Sequence, residues 1–440
     1  MDGSRRPEAR WALAGTRRLG AVGVLLIFAA VLWMVVHHRG TPVIAVFVVW
    51  LLTALLVSVQ FVASLYARPF GASPAKLAEL DRLSVAVLVP CFNEEPSLLE
   101  ESLRSIVEQS RAPTAISVID DGSSIDYRWV EQRIRAEAAA SGIRVHWRKT
   151  RNHGKRYALI NAARQEPDID IYMTVDSDSV LDRAAIEEGL KPFTDVRVQS
   201  VAGFLLVLNY SESWLSRMME LVIVSWGQFE RSALSITGSV LVNSGACAFY
   251  RSEVIRENAA NFLSETILGR PMSFSDDSLL TLFALERGRA VQQPTSFAFS
   301  RMPTSLRPHL VQQARWMRGA FVRGWWRFKY LSVGSVAYWV LALKWFQFFS
   351  NTVLAVVLLA ALFTMTPGTV ALFGAGWLAV QYAISSRYLA LRRSDQSRRQ
   401  RWGVYALVPV MVLWQVVILH QLRLYAYATF ARTGWGSRTT

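Results

Sequence analysis

The stretch VAVLVPCFNEE at residues 85–95 determines how the middle of the chain folds. Its first half is an almost continuous apolar run rich in Val, and a polar loop follows it. The next stretch, SLLEESLRSIVEQS at residues 97–110, has its apolar residues at helical spacing. A strand buried on both faces and followed directly by a helix is typical of a parallel α/β sheet. We therefore expect an α/β domain that begins near residue 85.

A second apolar run ends in a pair of carboxylates. The stretch AISVIDDGSS at residues 115–124 repeats the design of the first run and places Asp120 and Asp121 before a Gly turn. Ligands of open α/β sheets bind at the carboxyl ends of the strands, so these two side chains are expected beside a nucleotide. The alternative is an ordinary Asp-Gly turn in which one carboxylate caps the loop.

A third run, DIYMTVDSDSV at residues 170–180, contains Asp176 and Asp178 at its end. Carboxylates two residues apart can hold a hard cation such as Mg²⁺ while diphosphate oxygens complete its coordination. Upstream of this run, Lys155 and Arg156 follow a Gly, where two cations suit a negative diphosphate. A chance D-x-D turn and a solvated basic loop are the alternatives.

Two later stretches add small residues and another carboxylate pair. LVNSGACAFYR at residues 241–251 predicts a strand that runs into a Gly turn, where a sugar could approach the backbone closely. SFSDDSLLTLFALERG at residues 273–288 places Asp276 and Asp277 at the start of an amphipathic helix. In the functional interpretation Asp277 is the general base that takes the proton from an acceptor hydroxyl. The alternative is capping of the helix N-terminus by these carboxylates.

Apolar segments flank this domain on both sides. The chain has 440 residues, of which 52% are hydrophobic, and a net charge of +15. Segments long enough to cross a bilayer are expected at residues 19–36, 42–65, 341–365, 369–391 and 403–425. Basic residues precede the first segment and follow the second, so the positive-inside rule places the middle of the chain in the cytoplasm. A cleaved signal peptide is the alternative for the first segment.

The charge excess is explained by this membrane arrangement. The connector RRSDQSRRQR at residues 392–401 is strongly basic and is expected on the cytoplasmic side, near anionic lipid. Nucleic acid is not expected as a partner, because its signature is basic arms with interleaved aromatic residues. The only two cysteines, Cys91 and Cys247, are too few for a disulfide framework or a zinc site.

The stretch HLVQQARWMRGAFVRGWWRF at residues 309–328 is basic and aromatic at helical spacing, which predicts a helix in the membrane interface. Three crossings after it would put the C-terminus outside the cell, so either 403–425 or part of 336–365 is expected to be interfacial or re-entrant. Polar residues in the apolar segments predict a tunnel for a sugar chain, or else simple hydrogen bonds between helices. These residues are Gln347, Asn351, Gln381, Tyr382, Ser385, Gln415 and His420.

Taken in order, the motifs VIDDGS, HGKR, VDSDS, SGACAFYR, SDD and QQARW resemble glycosyltransferase family 2, in its processive membrane branch. The pattern is similar to the class I hyaluronan synthases and to the related chitin-oligosaccharide synthases. The resemblance extends from about residue 83 to the C-terminus. It includes LRLYAYATFARTGWGSR at residues 422–438, which is similar to the W-G-T-R ending of bacterial hyaluronan synthases.

The resemblance implies a GT-A fold, which is an α/β domain for nucleotide-diphospho-sugars, and a metal-dependent, inverting transfer of sugar from UDP. It also implies roles for matching positions. These are uridine binding by Asn93, Glu94, Asp120 and Asp121, contact with the rest of the donor by Lys155, Asp176 and Arg315, acceptor binding by Gln312 and Trp316, coordination of Mg²⁺ or Mn²⁺ by Asp176 and Asp178, and catalysis by Asp277 with Asp276.

The chain departs from the family pattern at several positions. Ser275 and Ser278 flank the two Asp residues where these synthases usually read G-D-D-R or G-E-D-R, so both the Gly and the Arg are absent. Phe92 replaces the usual Tyr, and Ser437 stands where Thr is common. The missing Arg leaves the choice of donor and acceptor open.

The sequence therefore predicts four parts. They are an N-terminal arm and membrane hairpin at 1–67, a cytoplasmic GT-A domain at 68–305, interfacial helices with Q-x-x-R-W at 306–335, and C-terminal membrane helices and a tail at 336–440. The predicted protein is a multi-pass enzyme of the plasma membrane. Its expected partners are UDP-sugar donors, the growing polysaccharide and the lipid bilayer.

The predicted activity is processive polymerisation of UDP-GlcNAc, together with UDP-GlcUA, into an exported hyaluronan-like polysaccharide. A chitin or poly-N-acetylglucosamine synthase that uses UDP-GlcNAc alone is the alternative enzyme. An inactive membrane scaffold or a lipid-linked sugar carrier is the alternative from another class. The intact carboxylates and the QQARW motif favour an enzyme.

Overall fold

The computed structural model describes residues 6–12, 43–361 and 366–432. The predicted segment at 19–36 and the chain from residue 433 onward lie outside the described residues. Within the described ranges the strands are, in chain order, β1 (Ala9–Trp11), β2 (Val85–Cys91), β3 (Ala115–Asp120), β4 (Arg144–Lys149), β5 (Ile171–Thr174), β6 (Ser179–Leu181), β7 (Val198–Val207), β8 (Ala248–Arg251), β9 (Thr266–Ile267), β10 (Arg270–Pro271), β11 (Arg289–Ser300) and β12 (Leu391–Arg393). The α-helices of the same ranges are α1 (Val43–Tyr66), α2 (Pro74–Asp81), α3 (Pro96–Val107), α4 (Arg128–Ala140), α5 (Lys155–Arg164), α6 (Ala185–Leu190), α7 (Trp214–Trp226), α8 (Ser232–Thr237), α9 (Ser252–Arg256), α10 (Ala259–Ser264), α11 (Asp276–Arg287), α12 (Leu306–Tyr330), α13 (Val336–Ala361), α14 (Pro367–Ser385), α15 (Arg398–Tyr405), α16 (Val408–Leu413) and α17 (His420–Ala428).

One eight-stranded sheet forms the centre of the molecule, with the strand order β4-β3-β2-β5-β8-β7-β11-β6. The first four strands of this order are parallel to one another. Strand β8 runs antiparallel to both of its neighbours, β5 and β7, and β6 runs antiparallel to β11. The predicted α/β domain is confirmed, with a mixed sheet.

The residues of β2 alternate between two hydrophobic cores. Val85, Val87 and Val89 pack into the core that α3 and α4 cover, whereas Ala86 and Leu88 pack into the core that α5 and α11 cover. Side chains along a strand point alternately to opposite faces of the sheet. A strand that helices cover on both sides is therefore apolar at every position, which explains the continuous run in the sequence.

The small-residue stretch at 241–251 differs from the prediction. Its strand, β8, comes after the Gly turn and begins only at Ala248, which pairs with Thr174, the last residue of β5. Beyond Thr174 the chain of β5 leaves the sheet, so residues 241–247 have no neighbouring strand on that side to pair with. They form an irregular segment, held in part by the hydrogen bond from Asn243 N to Oγ1 of Thr281.

Three long helices that are not part of the α/β layers are apolar, namely α1, α13 and α14. Helix α1 matches the predicted segment at 42–65 and packs on a π-helical turn at Gly227–Arg231, where the rings of Phe61 and Phe229 are 6.3 Å apart. Among the described residues, one helical run, Arg398–Ala428, is long and apolar enough to cross a membrane. This run consists of α15, α16, a second π-helical turn at Trp414–Leu419, and α17.

Helix α17 lies against helix α12. The rings of Phe321 and Tyr427 are 4.6 Å apart, and the guanidinium of Arg318 donates to Oγ1 of Thr429 at 3.1 Å. The end of the described chain is thus held on the helix that carries the Q-x-x-R-W motif.

The N-terminal arm pairs with the basic connector. Strand β1 lies antiparallel to β12, with Ala9 opposite Arg393 and Trp11 opposite Leu391. The arm is also fixed to the α/β domain, because Ala9 N donates to Oδ2 of Asp182 at 2.9 Å and Nε1 of Trp11 donates to the carbonyl of Pro294 at 2.7 Å. Arm and connector therefore lie together beside the sheet.

Candidate active site

Two buried carboxylates shape the loops at the end of β3. Asp120 and Asp121 are each 3% exposed. Oδ1 of Asp120 accepts the N–H of Ser123 at 2.8 Å, which closes the predicted turn. The two oxygens of Asp121 accept the N–H groups of His153 and Gly154 at 2.9 and 2.8 Å, so Asp121 fixes the loop that opens α5. Burial raises the pKa of Asp121, against the effect of these two hydrogen bonds.

The loop after β2 is tied to its neighbours on both sides. Oδ1 of Asn93 accepts the N–H of Ser124 at 2.9 Å, and the N–H of Asn93 donates to Oγ of Ser123 at 2.8 Å. Glu94 is buried, and its Oε2 accepts a hydrogen bond from Oγ of Ser177 at 3.1 Å. The ends of β2, β3 and β5 thus meet, and they bring the predicted uridine-binding residues to one edge of the sheet.

A Lys–Asp ion pair stands at the next position along this edge. Nζ of Lys155, in the first turn of α5, lies 2.5 Å from Oδ1 of Asp176. Burial lowers the pKa of Lys155, but the charges of Asp176, Asp276 and Asp277 outweigh it, so the pKa is raised overall. Because Gly245 has no side chain, the space beside this ion pair stays open. An added Cβ would lie 3.2 Å from Oδ1 of Asp176 and 3.4 Å from Nζ of Lys155.

Arg156 faces a different set of groups from Lys155. Its Nε donates to Oδ1 of Asp276 at 2.6 Å, and its Nη2 lies 2.7 Å from Oε2 of Glu265. Glu265 also binds Arg323 of α12, with an Nη1–Oε1 distance of 2.6 Å. All of these side chains are buried. The guanidinium expected near a diphosphate is therefore bound to two carboxylates, and the network fixes the start of α11.

Asp277 lies beside this network in the first turn of α11. Its Oδ1 accepts the N–H of Ser278 at 2.7 Å. Burial raises the pKa of Asp277; the charge of Lys155 opposes this effect and that of Asp276 adds to it. A carboxylate with a raised pKa is better suited to accept a proton near neutral pH. Lys155, Asp176, Gly245, Asp276 and Asp277 line one small cleft.

Helix α12 packs directly on the loop before α11. Gly319 permits this approach, because an added Cβ would lie 2.8 Å from Cβ of Ser275. Arg323 also donates to the carbonyl of Ser275 at 3.3 Å. Ser275 itself has φ of 64°, in the left-handed region where a residue with a Cβ is strained by about 1–2 kcal/mol. This conformation explains why the family pattern usually has Gly here.

The Q-x-x-R-W residues share one face of α12, since positions i, i+3 and i+4 are neighbours on a helix. Trp316 is 42% exposed. Among the described residues, the buried Oε1 of Gln312 has no hydrogen-bond partner. An exposed indole ring and an acceptor of this kind suit a pyranose, which has an apolar face and hydroxyl donors.

The carboxylates of Asp176 and Asp178 fit a metal ion that substrate phosphates help to hold. Among the described residues, no three His, Cys, Asp or Glu side chains come together as a complete metal site. Mg²⁺ is usually bound by one or two carboxylates plus phosphate oxygens, which is the donor set that this loop offers. The absent side chain of Gly245 keeps the adjacent space open.

The family model described as glycosyltransferase-like family 2 matches residues 82–319, more than half of the chain. The chain belongs to glycosyltransferase family 2. The hyaluronan synthase of Streptococcus pyogenes serotype M1 is 29% identical over 426 residues, which are 96% of this chain and 97% of its own. An N-acetylglucosaminyltransferase of Azorhizobium caulinodans is 35% identical over 239 residues, or 54% of this chain and 59% of its own. The predicted family resemblance and the enzyme class are confirmed.

A solved structure shows the same fold as this glycosyltransferase. It is the mannosyltransferase PcManGT from Pyrobaculum calidifontis in complex with GDP-Man and Mn²⁺, with a TM-score of 0.51 and 17% sequence identity. The alignment covers 90% of this chain and 99% of the mannosyltransferase. The GT-A-type fold predicted for the middle of this glycosyltransferase is thereby confirmed.

Two further cations of this glycosyltransferase were not predicted from its sequence. Arg231, in the first π-helical turn, and Arg327, on α12, lie near enough for their charges to act on Asp277. Burial lowers the pKa of both, to about 9 for Arg327. The available signal was Glu230 and Arg231 in an otherwise apolar stretch, because charged residues in such a place need a structural or functional reason.

Proposed function

We propose that this glycosyltransferase is a processive, inverting enzyme that polymerises sugars from UDP-sugar donors into a hyaluronan-like polysaccharide. The observation that carries the proposal is the cleft that Lys155, Asp176 and Asp277 line together. It combines a cation, a candidate metal ligand and a carboxylate with a raised pKa. Activation of the donor and deprotonation of the acceptor need these groups. Similarity to hyaluronan synthase along nearly the whole chain supports the same function.

Donor binding is assigned to the sheet edge. The uridine would lie on the loops that Asn93, Glu94, Asp120 and Asp121 shape, while Lys155 meets the negative charge that develops on the departing diphosphate. Mg²⁺ or Mn²⁺ held by Asp176 and Asp178 would act as a Lewis acid at the same oxygens. The Mn²⁺ in the mannosyltransferase complex supports a divalent cation. Arg315, on α12, is the second side-chain cation that we assign to the diphosphate.

Acceptor binding is assigned to α12 and the start of α11. Trp316 would stack on the apolar face of the terminal sugar, and Oε1 of Gln312 would accept a hydrogen bond from one of its hydroxyl groups. Asp277 then removes the proton of the attacking hydroxyl as the new glycosidic bond forms. Asp276 is bound to Arg156, so we assign it the role of holding the first turn of α11 in place.

A uronic acid as the second sugar is supported by the buried cations around the base. A carboxylate on the donor or acceptor sugar would find Arg231 and Arg327 close to Asp277. Arginine recognises carboxylates through paired hydrogen bonds, and burial strengthens such contacts. This arrangement favours UDP-GlcUA as a donor beside UDP-GlcNAc.

A homopolymer of N-acetylglucosamine, made from UDP-GlcNAc alone, is the second candidate. It is favoured by the 35% identity to the N-acetylglucosaminyltransferase of A. caulinodans and by Ser278, which stands where hyaluronan synthases usually have Arg. To separate the two, purified protein is supplied with UDP-GlcNAc, with and without UDP-GlcUA. We expect polymer only when both donors are present, and it should be degraded by hyaluronidase. Polymer from UDP-GlcNAc alone that chitinase degrades would establish the second candidate.

We further propose a multi-pass protein of the plasma membrane, with the arm and hairpin at 1–67, the cytoplasmic domain at 68–305, the interfacial helices at 306–335 and the C-terminal helices at 336–440. Pairing of β1 with β12 supports a cytoplasmic side for both arm and connector, since each contacts the catalytic domain. Contact of α17 with α12 supports a C-terminus on that same side.

Export through the helices is the last part of the proposal. The rings of Trp345 and Phe348 on α13 lie 5.8 and 5.3 Å from the ring of Tyr427, and Phe321 of α12 joins them. This aromatic cluster joins α12 to α13 and α17, and we assign it to contacts with the growing chain. Protein reconstituted in sealed vesicles with its catalytic domain outward should deliver polymer to the lumen when donors are supplied outside. Polymer found only outside would refute export.

A further inference from the structure

One arginine of the basic connector is buried without a counter-charge. Arg401, on α15, is 5% exposed. Among the residues that the structure describes, no carboxylate pairs with it, and its Nε has no hydrogen-bond acceptor. Burial of an unpaired charge is destabilising, so native proteins rarely leave one uncompensated. An anion bound beside Arg401 would neutralise this buried charge.

Other cations surround this position. Arg392 and Arg398 are exposed and lie near enough to Arg401 for their charges to act on it. Arg10 stands directly opposite Arg392 in the ladder of β1 and β12, on the face that turns away from the domain. Like charges at facing positions of two strands destabilise the pairing. An anion between these side chains would relieve that repulsion.

The nearby acidic groups do not neutralise the cluster. Asp395 and Glu220 are bound to Arg393, at 2.7 and 2.8 Å. Glu8 lies on the same face of the ladder as Arg10, but no ion pair joins it to the cluster within the described part of the chain. The cluster of Arg10, Arg392, Arg398 and Arg401 is therefore strongly positive.

A hydroxyl group next to Arg401 adds a neutral donor. Tyr388 is fully buried, and its hydroxyl oxygen accepts a hydrogen bond from Nε2 of Gln396 at 2.8 Å. Among the described residues this hydroxyl has no acceptor for its own proton, and Tyr388 lies near enough to Arg401 to affect it electrostatically. A phosphate group, with several acceptor oxygens, matches guanidinium forks and a hydroxyl better than a single-point anion does.

We propose that Arg392, Arg398 and Arg401 bind the phosphate group of an anionic phospholipid. The choice of a lipid rests on the proposed membrane placement. Helix α15 opens the apolar run Arg398–Ala428, and Trp402, next to Arg401, is half exposed as expected at a lipid headgroup boundary. A bound headgroup would hold the arm, the connector and the first turn of this run together.

The test uses full-length protein in nanodiscs of phosphatidylcholine, with or without phosphatidylglycerol. Heating is followed by tryptophan fluorescence, and bound lipid is measured by native mass spectrometry. Phosphatidylglycerol should raise the unfolding temperature of the wild type and of the control Arg82→Gln, whose exposed arginine lies at the C-terminal end of α2. In Arg392→Gln and Arg401→Met the retained phosphatidylglycerol should fall by about tenfold, the size of one lost charge-assisted contact.

The second measurement is the unfolding temperature of Arg401→Met without anionic lipid, which we expect to rise. In phosphatidylcholine alone, Arg401→Met should unfold at a higher temperature than the wild type, because an apolar side chain replaces a buried, unpaired cation. Arg392 is exposed, so Arg392→Gln still tests the site if Arg401→Met does not fold. Equal phosphatidylglycerol retention by both variants and the wild type would overturn the proposal.

Two further outcomes distinguish a lipid phosphate from free phosphate, and a failure of the lipid site from a failure of the proposed function. If inorganic phosphate raises the unfolding temperature as much as phosphatidylglycerol does, the site binds a free anion and the lipid assignment is overturned. Polymer synthesis is measured in parallel. Lipid binding that depends on Arg401 in a protein that makes no polymer would refute the proposed function and leave the lipid site standing.

Discussion

Replacing Lys155 by Met should strengthen the binding of a divalent cation while it slows the reaction. Nζ of Lys155 lies 2.5 Å from Oδ1 of Asp176, so the ammonium group is bound to an oxygen that a metal ion would use. A cation that enters the nucleotide-free protein has to displace this group. The substitution removes both the competitor and a repelling charge, but it also removes a cation from the donor diphosphate.

The size of the effect follows from the exposure of the pair. The side chains of Lys155 and Asp176 are 24% and 32% exposed. Their interaction therefore lies between that of a surface pair, at most about 1 kcal/mol, and about 4 kcal/mol for charges 4 Å apart at an effective dielectric constant of about 20. An intermediate value of about 2 kcal/mol corresponds to a roughly 30-fold lower Kd for Mn²⁺. Loss of one donor to the developing negative charge lowers kcat by about 10²–10³.

Titration of purified protein with Mn²⁺, followed by electron paramagnetic resonance without nucleotide, measures the first effect, and UDP release measures the second. Lys149→Met is the matched control, because Nζ of Lys149 lies 3.8 Å from Asp120, on the other predicted carboxylate pair, and is largely exposed. This control should bind Mn²⁺ as the wild type does. If folded Lys155→Met bound Mn²⁺ no more tightly than the wild type, our assignment of Asp176 as a metal ligand would be refuted.

Three further substitutions test the acceptor side of the site. Asp277→Asn should lower kcat by about 10²–10⁴. In the wild type, kcat should decline as the pH falls through the raised pKa of Asp277, because the protonated carboxyl cannot act as a base. A pH–rate profile of the wild type without such a decline would contradict the base assignment. Trp316→Ala should raise KM for short acceptor oligosaccharides by about tenfold, as expected for the loss of a stacking contact of about 1.5 kcal/mol, whereas Trp325→Ala, on the same helix and 65% exposed, should leave KM unchanged. Ser275→Gly should raise the free energy of unfolding by about 1 kcal/mol, because the residue has φ of 64°, and a lower midpoint in thermal denaturation would show that the Ser side chain contributes more than its strain costs.

The sheet and its binding edge could be predicted because their signals are local. A strand between two helical layers has to be apolar throughout, as β2 is, and the carboxylates that follow β3 and β5 stand directly after such runs. The two-residue spacing of Asp176 and Asp178 is likewise visible in the sequence. The local pattern, together with the rule that ligands bind at the carboxyl ends of the strands, was enough to predict that these residues lie at one edge of the sheet.

The partners of the charged residues could not be predicted, because they come from distant parts of the chain. Arg156 was expected near a diphosphate, yet its guanidinium is bound to Asp276 and Glu265. Glu265 gave no signal in the sequence, since it is a single acidic residue between α10 and β9 that belongs to no motif. The start of β8 was also misplaced, because a strand extends only as far as its neighbour does, and that length is a property of the folded sheet.

Glu265 joins two helices to which we assign different substrates. It binds Arg156 of α5, beside the proposed donor site, and Arg323 of α12, whose preceding turns carry the Q-x-x-R-W motif. These two ion pairs would keep the distance between the proposed donor and acceptor sites constant through repeated cycles of transfer. A polymer that advances by one sugar at a time would then slide past a stationary track, and the enzyme would need no opening stroke of its catalytic domain to let it pass.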